Sequence, residues 1–261
     1  MMKRRNFLAM SGAVALTPFA ALHATAADAS STARDYLLLQ KYEVDNEAQK
    51  ARLDAYLRQA ITVWNGQGIK PVGVFYLREG IGPTYVVLRH ASPEVLLSNA
   101  DALFANADVK SKGEGVLDAT ADNPGFKRLE SSLLLSFRGA PQLQMPVHGP
   151  QRVFQLRIYE SPSVAMGFKK IEMFNEAGEL NIFREVGLTG VFFSQSLVGP
   201  KMPNLTYMLG FETEEEQKAA WDRFRTSPGW LKLKAMPEYA DKRILCGITN
   251  LLLKPADYSQ I

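Results

Sequence analysis

The hexapeptide Gln155-Leu156-Arg157-Ile158-Tyr159-Glu160 is a variant of Leu38-Leu39-Gln40-Lys41-Tyr42-Glu43. The 117 positions between Tyr42 and Tyr159 also separate Gly73-Val74-Phe75 from Gly190-Val191-Phe192, and Gly82-Pro83 from Gly199-Pro200. After a short insertion at Lys201 to Asn204 the separation becomes 122, which sets Thr84-Tyr85 against Thr206-Tyr207. Further on, Ser227-Pro228-Gly229-Trp230 answers Asn123-Pro124-Gly125-Phe126. A period above a hundred residues is too long for a solenoid turn and is the length of a small domain. The chain therefore reads as a tandem duplication of one fold.

Both copies carry the same order of signals. In the first, Tyr36 to Glu43 alternates, Leu53, Leu57, Ile61 and Trp64 recur at helical spacing, and Pro71 to Arg78 and Thr84 to Arg89 are strands joined at Gly80-Ile81-Gly82-Pro83. Ser92-Pro93-Glu94 supplies a cap and a first-turn proline for a second helix, and Leu133 to Phe137 closes the unit. In the second copy Val153 to Glu160 is the first strand and Ser161-Pro162 opens its helix. Leu188 to Ser196 and Leu205 to Phe211 form the hairpin, Thr213-Glu214-Glu215-Glu216 is a capping box, and Arg243 to Leu253 is the last strand. The order β-α-β-β-α-β is that of the ferredoxin-like unit. Two such units are expected, at 34–138 and 151–261, with 139–150 as a linker containing Pro141, Pro146, Gly149 and Pro150.

Alternation also divides the first strand of each unit into two faces. Leu37 and Leu39, with Phe154, Leu156 and Ile158, suit packing under helices; Tyr36, Leu38, Gln40 and Tyr42, with Val153, Gln155, Arg157 and Tyr159, form a half-polar, aromatic face. Exposing two such faces to water is unfavourable by about 25 cal/mol per Å² of apolar surface. The expected architecture is therefore α+β: two tandem ferredoxin-like units packed sheet to sheet as an intrachain α/β barrel. Helices would lie outside, and the polar, aromatic faces would line an inter-sheet cavity.

Residues 1–26 have the pattern of an export signal, with a basic start at Lys3-Arg4-Arg5, an apolar run from Phe7 to Leu22 and a small-residue exit at Ala24-Thr25-Ala26. Arg4-Arg5 followed by Asn6-Phe7-Leu8 resembles the twin-arginine signal, and a general secretory signal is the alternative. Both readings export the chain, so a periplasmic or otherwise exported bacterial location is expected. The run falls short of the roughly 20 apolar residues of a membrane span, so no stable insertion is expected after cleavage. Loss of Lys3, Arg4 and Arg5 takes the basic residues from 30 to 27, equal to the 27 acidic ones. A balanced chain offers no field for nucleic acid or anionic lipid.

Cys246 is the single cysteine, so no internal disulfide forms, and Ile244-Leu245-Cys246-Gly247-Ile248 reads as a buried strand. No metal motif is present, since His90 and His148 are far apart in sequence. Gly113-Glu114-Gly115 lacks the context of a nucleotide fingerprint and reads as a loop. Arg223 and Arg225 read as a solvated helix face near Trp221 and Trp230.

Gln155-Leu156-Arg157-Ile158-Tyr159, the segment with Trp221, and Ser227-Pro228-Gly229-Trp230 together resemble the NIPSNAP family. The first copy departs from that pattern with Gln40 in place of Arg157 and Phe126 in place of Trp230. The resemblance implies the ferredoxin-like unit of the dimeric α/β-barrel superfamily. It implies no particular reaction, because that superfamily spans monooxygenases, haem-handling enzymes and muconolactone-type isomerases. Two functions stay open. One is an exported protein that binds a small molecule in the inter-sheet cavity, lined by Gln40, Tyr42, Arg157, Tyr159, Gln195, Tyr207 and His90. The other is a cofactor-light or haem-dependent oxygenase or isomerase working with Arg157, Tyr159 and His90. Sequence names no cofactor, ligand or homo-oligomeric state, nor whether there is catalysis.

Overall fold

Eight strands of this computed structural model close into one antiparallel barrel, and the described residues are 33–261. The export signal read at 1–26 lies outside them. The strands are β1 (Tyr36–Glu43), β2 (Val72–Leu77), β3 (Thr84–His90), β4 (Arg128–Ser136), β5 (Val153–Glu160), β6 (Gly190–Val198), β7 (Asn204–Phe211) and β8 (Gly247–Pro255). Around the barrel they run β1-β3-β2-β8-β5-β7-β6-β4. The expected α+β class with a closed barrel is what forms.

Strands β1 and β5 each sit between two long partners. Eight residue pairs join β1 to β4 and eight join β5 to β7. The two places where early and late strands meet are shorter: three pairs between β2 and β8, and four between β4 and β6, interrupted by an irregularity at Leu133/Leu134.

Helices α1 (Glu47–Gly66), α2 (Pro93–Leu97), α3 (Asn99–Ala105) and α4 (Ala107–Lys112) belong to the first half. Helices α5 (Val164–Asn175), α6 (Glu179–Val186), α7 (Glu214–Thr226), α8 (Pro228–Lys234) and α9 (Asp241–Ile244) belong to the second. Side-chain caps fix their starts. Asn46 accepts from the Gln49 N–H, Ser92 from Val95 and Thr213 from Glu216, so that orphan amides of the first turn are satisfied. For α5 the cap is Ser163, two residues beyond the expected Ser161.

The faces of the strands are the reverse of those expected. Leu37, Leu39, Phe75, Val87, Leu134, Phe154, Leu156, Phe192, Met208 and Leu253 meet in one buried cluster to which both halves contribute, and this is the lumen. Leu38 and Tyr42 instead pack with Leu53, Leu57 and Trp64 of α1, while Val153, Tyr159 and Tyr207 pack with Phe174, Phe183, Trp221 and Phe224 of α5 to α7. An eight-stranded barrel has an interior just wide enough for side chains to fill. Aliphatic groups and phenylalanine fill it here, and the longer polar and aromatic chains lie outside, under the helices. The inter-sheet space is thus a packed core where a lined cavity was expected.

Register corrects the alignment of the hairpins. Tyr42 is paired with Thr84, and Tyr159 with Leu205. If Tyr42 and Tyr159 are equivalent, Thr84 answers Leu205 and Tyr85 answers Thr206. Tyr85 accordingly belongs to the lumen cluster and Tyr207 to the helix side.

The segment 139–150 crosses one end of the barrel. The Gln144 N–H donates to the Val191 carbonyl at 2.8 Å, and Val147 is buried among the lumen residues. Cys246 is exposed, contrary to the strand reading of Arg243 to Leu253. The chain leaves α9 there and enters β8 only at Gly247, so the thiol lies on the turn between them.

Candidate functional site

Arg157 and Tyr159, two residues apart on β5, present their side chains to the helix layer of the second half. Arg157 is paired across the ladder with Tyr207 of β7 and Asn250 of β8. Its guanidinium lies over the Trp221 ring of α7 at 4.6 Å and near the Tyr159 ring at 5.2 Å. Such contacts contribute about 0.5–2 kcal/mol each, more where water is excluded. The expected meeting of Arg157 with Tyr159 and Tyr207 is found, and the Tyr207 hydroxyl donates to the Tyr159 hydroxyl at 3.0 Å. Burial raises the Tyr207 phenol well above its ordinary range, with the neighbouring Tyr159 adding to the shift.

Arg157 Nε is buried with no hydrogen-bond partner among the described residues, and no ion pair to its guanidinium forms among them. A buried, unmatched donor of this kind costs about 1–3 kcal/mol, more for a charged group. The Arg157 side chain lines two adjoining cavities. One, of about 240 Å³, is walled by Tyr159, Phe183, Trp221 and Trp230, with Lys170, Glu179 and Asp241. The other, of about 440 Å³, is walled by Gln155, Gln217, Asp222 and Asn250; Arg157, Trp221 and Arg225 line both.

Two groups at this site were not read from sequence. Lys170 of α5 and Glu179 of α6 form an ion pair of 3.0 Å whose side chains are 2% and 3% exposed. Lys170 Nζ also lies 3.2 Å from Met173 Sδ, 4.8 Å from the Phe174 ring centre and 5.4 Å from that of Tyr159. Burial raises the Glu179 carboxyl above its ordinary range, and Lys170 opposes that shift. The available signal was Lys170 standing on the same helical stripe as Met166, Met173 and Phe174. Gln155, read from sequence on the same strand face as Arg157, fixes Trp221: its Oε1 accepts from Trp221 Nε1 at 2.5 Å and from Gln217 Nε2 at 3.2 Å, and its Nε2 donates to Asn250 Oδ1 at 2.6 Å.

The other expected residues lie elsewhere. Gln40 accepts from the Tyr42 hydroxyl at 3.2 Å on the helix side of the first half, where Tyr42 meets Phe126 edge to face. Gln195 lines a separate cleft with Arg34, Phe137 and Phe168. His90 Nδ1 accepts from the Ser92 N–H at 2.9 Å, and its other edge lies against Gly68. That ring caps a turn and lies outside the cavities that Arg157 and Tyr159 line. Arg225, expected on a solvated face, pairs with Asp222 while lining both cavities. Among the described residues no group of three or more His, Cys, Asp or Glu is placed to hold a metal ion, and no helix is long and apolar enough to cross a membrane.

Residues 154–260 match the NIPSNAP family, so the half that holds the Arg157 cavities is the half with the family's pattern. No curated protein matches the chain. Among solved structures, a monooxygenase-like protein from Fusobacterium nucleatum is 9% identical, with a TM-score of 0.56 over 85% of this chain and 93% of its own. A second, from Lactobacillus acidophilus, is 8% identical with a TM-score of 0.53 over 85% and 94%. An anthrone oxidase-like protein is 8% identical with a TM-score of 0.51 over 85% and 92%. At such identities the likeness is one of fold.

Proposed function

We propose that the chain binds a small organic anion with a flat apolar body in the paired cavities between β5, β8 and helices α5 to α9. The observation that carries this is Arg157: a guanidinium over the Trp221 ring that lines both cavities and forms no ion pair among the described residues. A carboxylate arriving there would meet the planar guanidinium fork with two-point geometry and supply the missing counter-charge, while the Trp221, Trp230 and Tyr159 rings receive an apolar ring. The cavity under the helices replaces the inter-sheet cavity, which the lumen side chains fill. The likeness in fold to monooxygenase-like proteins is compatible with a bound small molecule and selects no chemistry.

The test compares 2-naphthoate with its uncharged amide by calorimetry on the wild-type chain and on Arg157→Lys. The naphthoate alone is expected to bind, and loss of the planar fork should weaken it tenfold or more, equivalent to about 1.4 kcal/mol. Lowered thermal stability with unchanged naphthoate affinity would make Arg157 a structural residue and remove the reading.

Two further proposals concern organisation. The chain is a duplication of a ferredoxin-like unit, at 34–138 and 151–261, whose sheets meet at the β2–β8 and β4–β6 seams. Its support is the twice-repeated element order and the recurrence of cap and strand at one spacing, Asn46 with Tyr42 and Ser163 with Tyr159. Superposition of the halves should overlay Tyr42 on Tyr159. The chain is also exported through its Arg4-Arg5 signal. Precursor carrying Arg4→Lys and Arg5→Lys should accumulate uncleaved in the cell, and normal processing would assign the general secretory route instead.

A further inference from the structure

We infer that the Arg157 cavity is a proton-transfer site, in which the Glu179 carboxylate takes a proton from the carbon beside the keto group of an aryl-substituted 2-oxo acid while Arg157 and Lys170 hold the anion. This rests on the binding reading above and adds a reaction to it. The argument begins with the cost of the Lys170–Glu179 pair. Two charges 3.0 Å apart stand in a cluster made of Tyr159, Phe174 and Phe183, with side chains no more than 3% exposed. Such a pair is often no more stabilising than apolar residues of the same volume, so packing alone does not account for it.

What the pair faces does. Both side chains line the smaller cavity with Arg157, Trp221 and Trp230. Lys170 holds Oε2 of Glu179, and among the described residues Oε1 makes no hydrogen bond. Lys170 itself has only the Met173 sulfur, a weak acceptor, besides that carboxylate. The cavity thus brings together a carboxylate with a free oxygen, an ammonium with donor capacity and a guanidinium that forms no ion pair among the described residues. Burial holds Glu179 above the ordinary carboxylate range, the direction that strengthens it as a base.

The step balances without a co-reactant. The C–H bond at the carbon beside the ketone breaks and an O–H bond forms on Glu179. The C–H electron pair becomes the carbon–carbon double bond and the carbonyl pair moves onto oxygen. Arg157 holds the acid's carboxylate and Lys170 the new enolate oxygen. Glu179 then returns its proton to that oxygen, so keto acid becomes enol with nothing consumed. Return to carbon is the reverse reaction, and in deuterated water each passage exchanges that hydrogen.

The probe is phenylpyruvate, with one carboxylate, one ring and an acidic methylene. Loss of its methylene signal in deuterated water is followed by proton NMR with the full chain, and binding is measured by equilibrium dialysis. Wild type is expected to speed exchange about 100-fold or more over buffer, in the range of a positioned general base. Glu179→Gln should abolish the acceleration. Because that variant leaves Lys170 without a counter-charge, the double variant Lys170→Met with Glu179→Gln provides a folded, uncharged control that should also be silent. Bound phenylpyruvate with no acceleration would overturn this inference alone. No binding would overturn it together with the binding reading, and full exchange in the double variant would place the base elsewhere and overturn it too.

Discussion

Lys170 and Leu53 stand at the same place in their halves, each the seventh residue after a helix N-cap and each buried against the strand that carries the paired tyrosine. The first half fills this place with apolar packing and the second with half of an ion pair. A buried pair replaced by apolar residues of similar size is commonly neutral or stabilising by about 1–4 kcal/mol, whereas removing one partner costs about 3–5 kcal/mol. Lys170→Leu with Glu179→Leu should therefore keep or raise the denaturant midpoint, and Lys170→Leu alone should lower it sharply. The single variant leaves a carboxyl whose folded pKa is already raised by burial to rise further without Lys170. A raised carboxyl favours the folded state below its unfolded value and loses that contribution as pH rises through the folded one. The loss in Lys170→Leu should accordingly shrink as pH falls from 7 towards 5, as urea titrations at each pH would reveal.

Alkaline stability follows from the tyrosines. Burial raises the phenols of Tyr42, Tyr56, Tyr76, Tyr207 and Tyr258, with Tyr56 pushed up to about 12. Asp54 adds to the shifts of Tyr76 and Tyr258 by accepting from both hydroxyls at 2.7 Å. A group raised in the folded state contributes stability fully below its unfolded pKa, about 10 for a phenol, and loses it above. Stability should hold to about pH 10 and then fall. Phenolate absorbance of these rings should appear together with the unfolding signal; phenolates formed in a chain that stays folded would contradict the buried placement.

Trp221 depends on Gln155 for its position and gives Arg157 its platform. Trp221→Phe keeps a ring but removes the indole N–H. A loss of about 0.5–1.5 kcal/mol is expected for the hydrogen bond. Naphthoate affinity should fall with it, since the guanidinium loses the wider ring beneath it. Unchanged affinity would mean that the platform does not serve the ligand.

Cys246 should react with a maleimide in the native chain to one equivalent and without change in circular dichroism, because its thiol is exposed on the turn before β8. Reaction only in denaturant would restore the buried placement read from sequence.

Element order, caps and the pairing of Arg157 with Tyr159 were legible because they rest on local signals: alternation, helical spacing, and Ser, Thr or Asn ahead of a helix. Which face of β1 or β5 looks into the barrel was not. In a closed barrel under helices both faces of a strand are buried, so Leu37 and Leu38 are alike in sequence and opposite in place. Alternation sorts residues into two sets and gives neither set an address. The lumen's width decides, and width belongs to the closed sheet. Glu179 was invisible for a related reason, since only the fold of α6 against α5 brings it to Lys170. His90 and Gln195 were drawn in by residue type alone, and the backbone placed them in a turn and in another cleft.

Every strand of the barrel has a hydrogen-bonded neighbour on both sides. A chain of this kind offers a stranger no open row of amides and carbonyls on which to add a strand, the commonest route by which sheet proteins stick to one another. Association between copies would have to be made of side chains on the helix layer, with specificity written in shape and charge. The vulnerable place is the three-pair seam between β2 and β8. Should it part, two adhesive edges appear at once, and a brief opening would become a nucleus for aggregation.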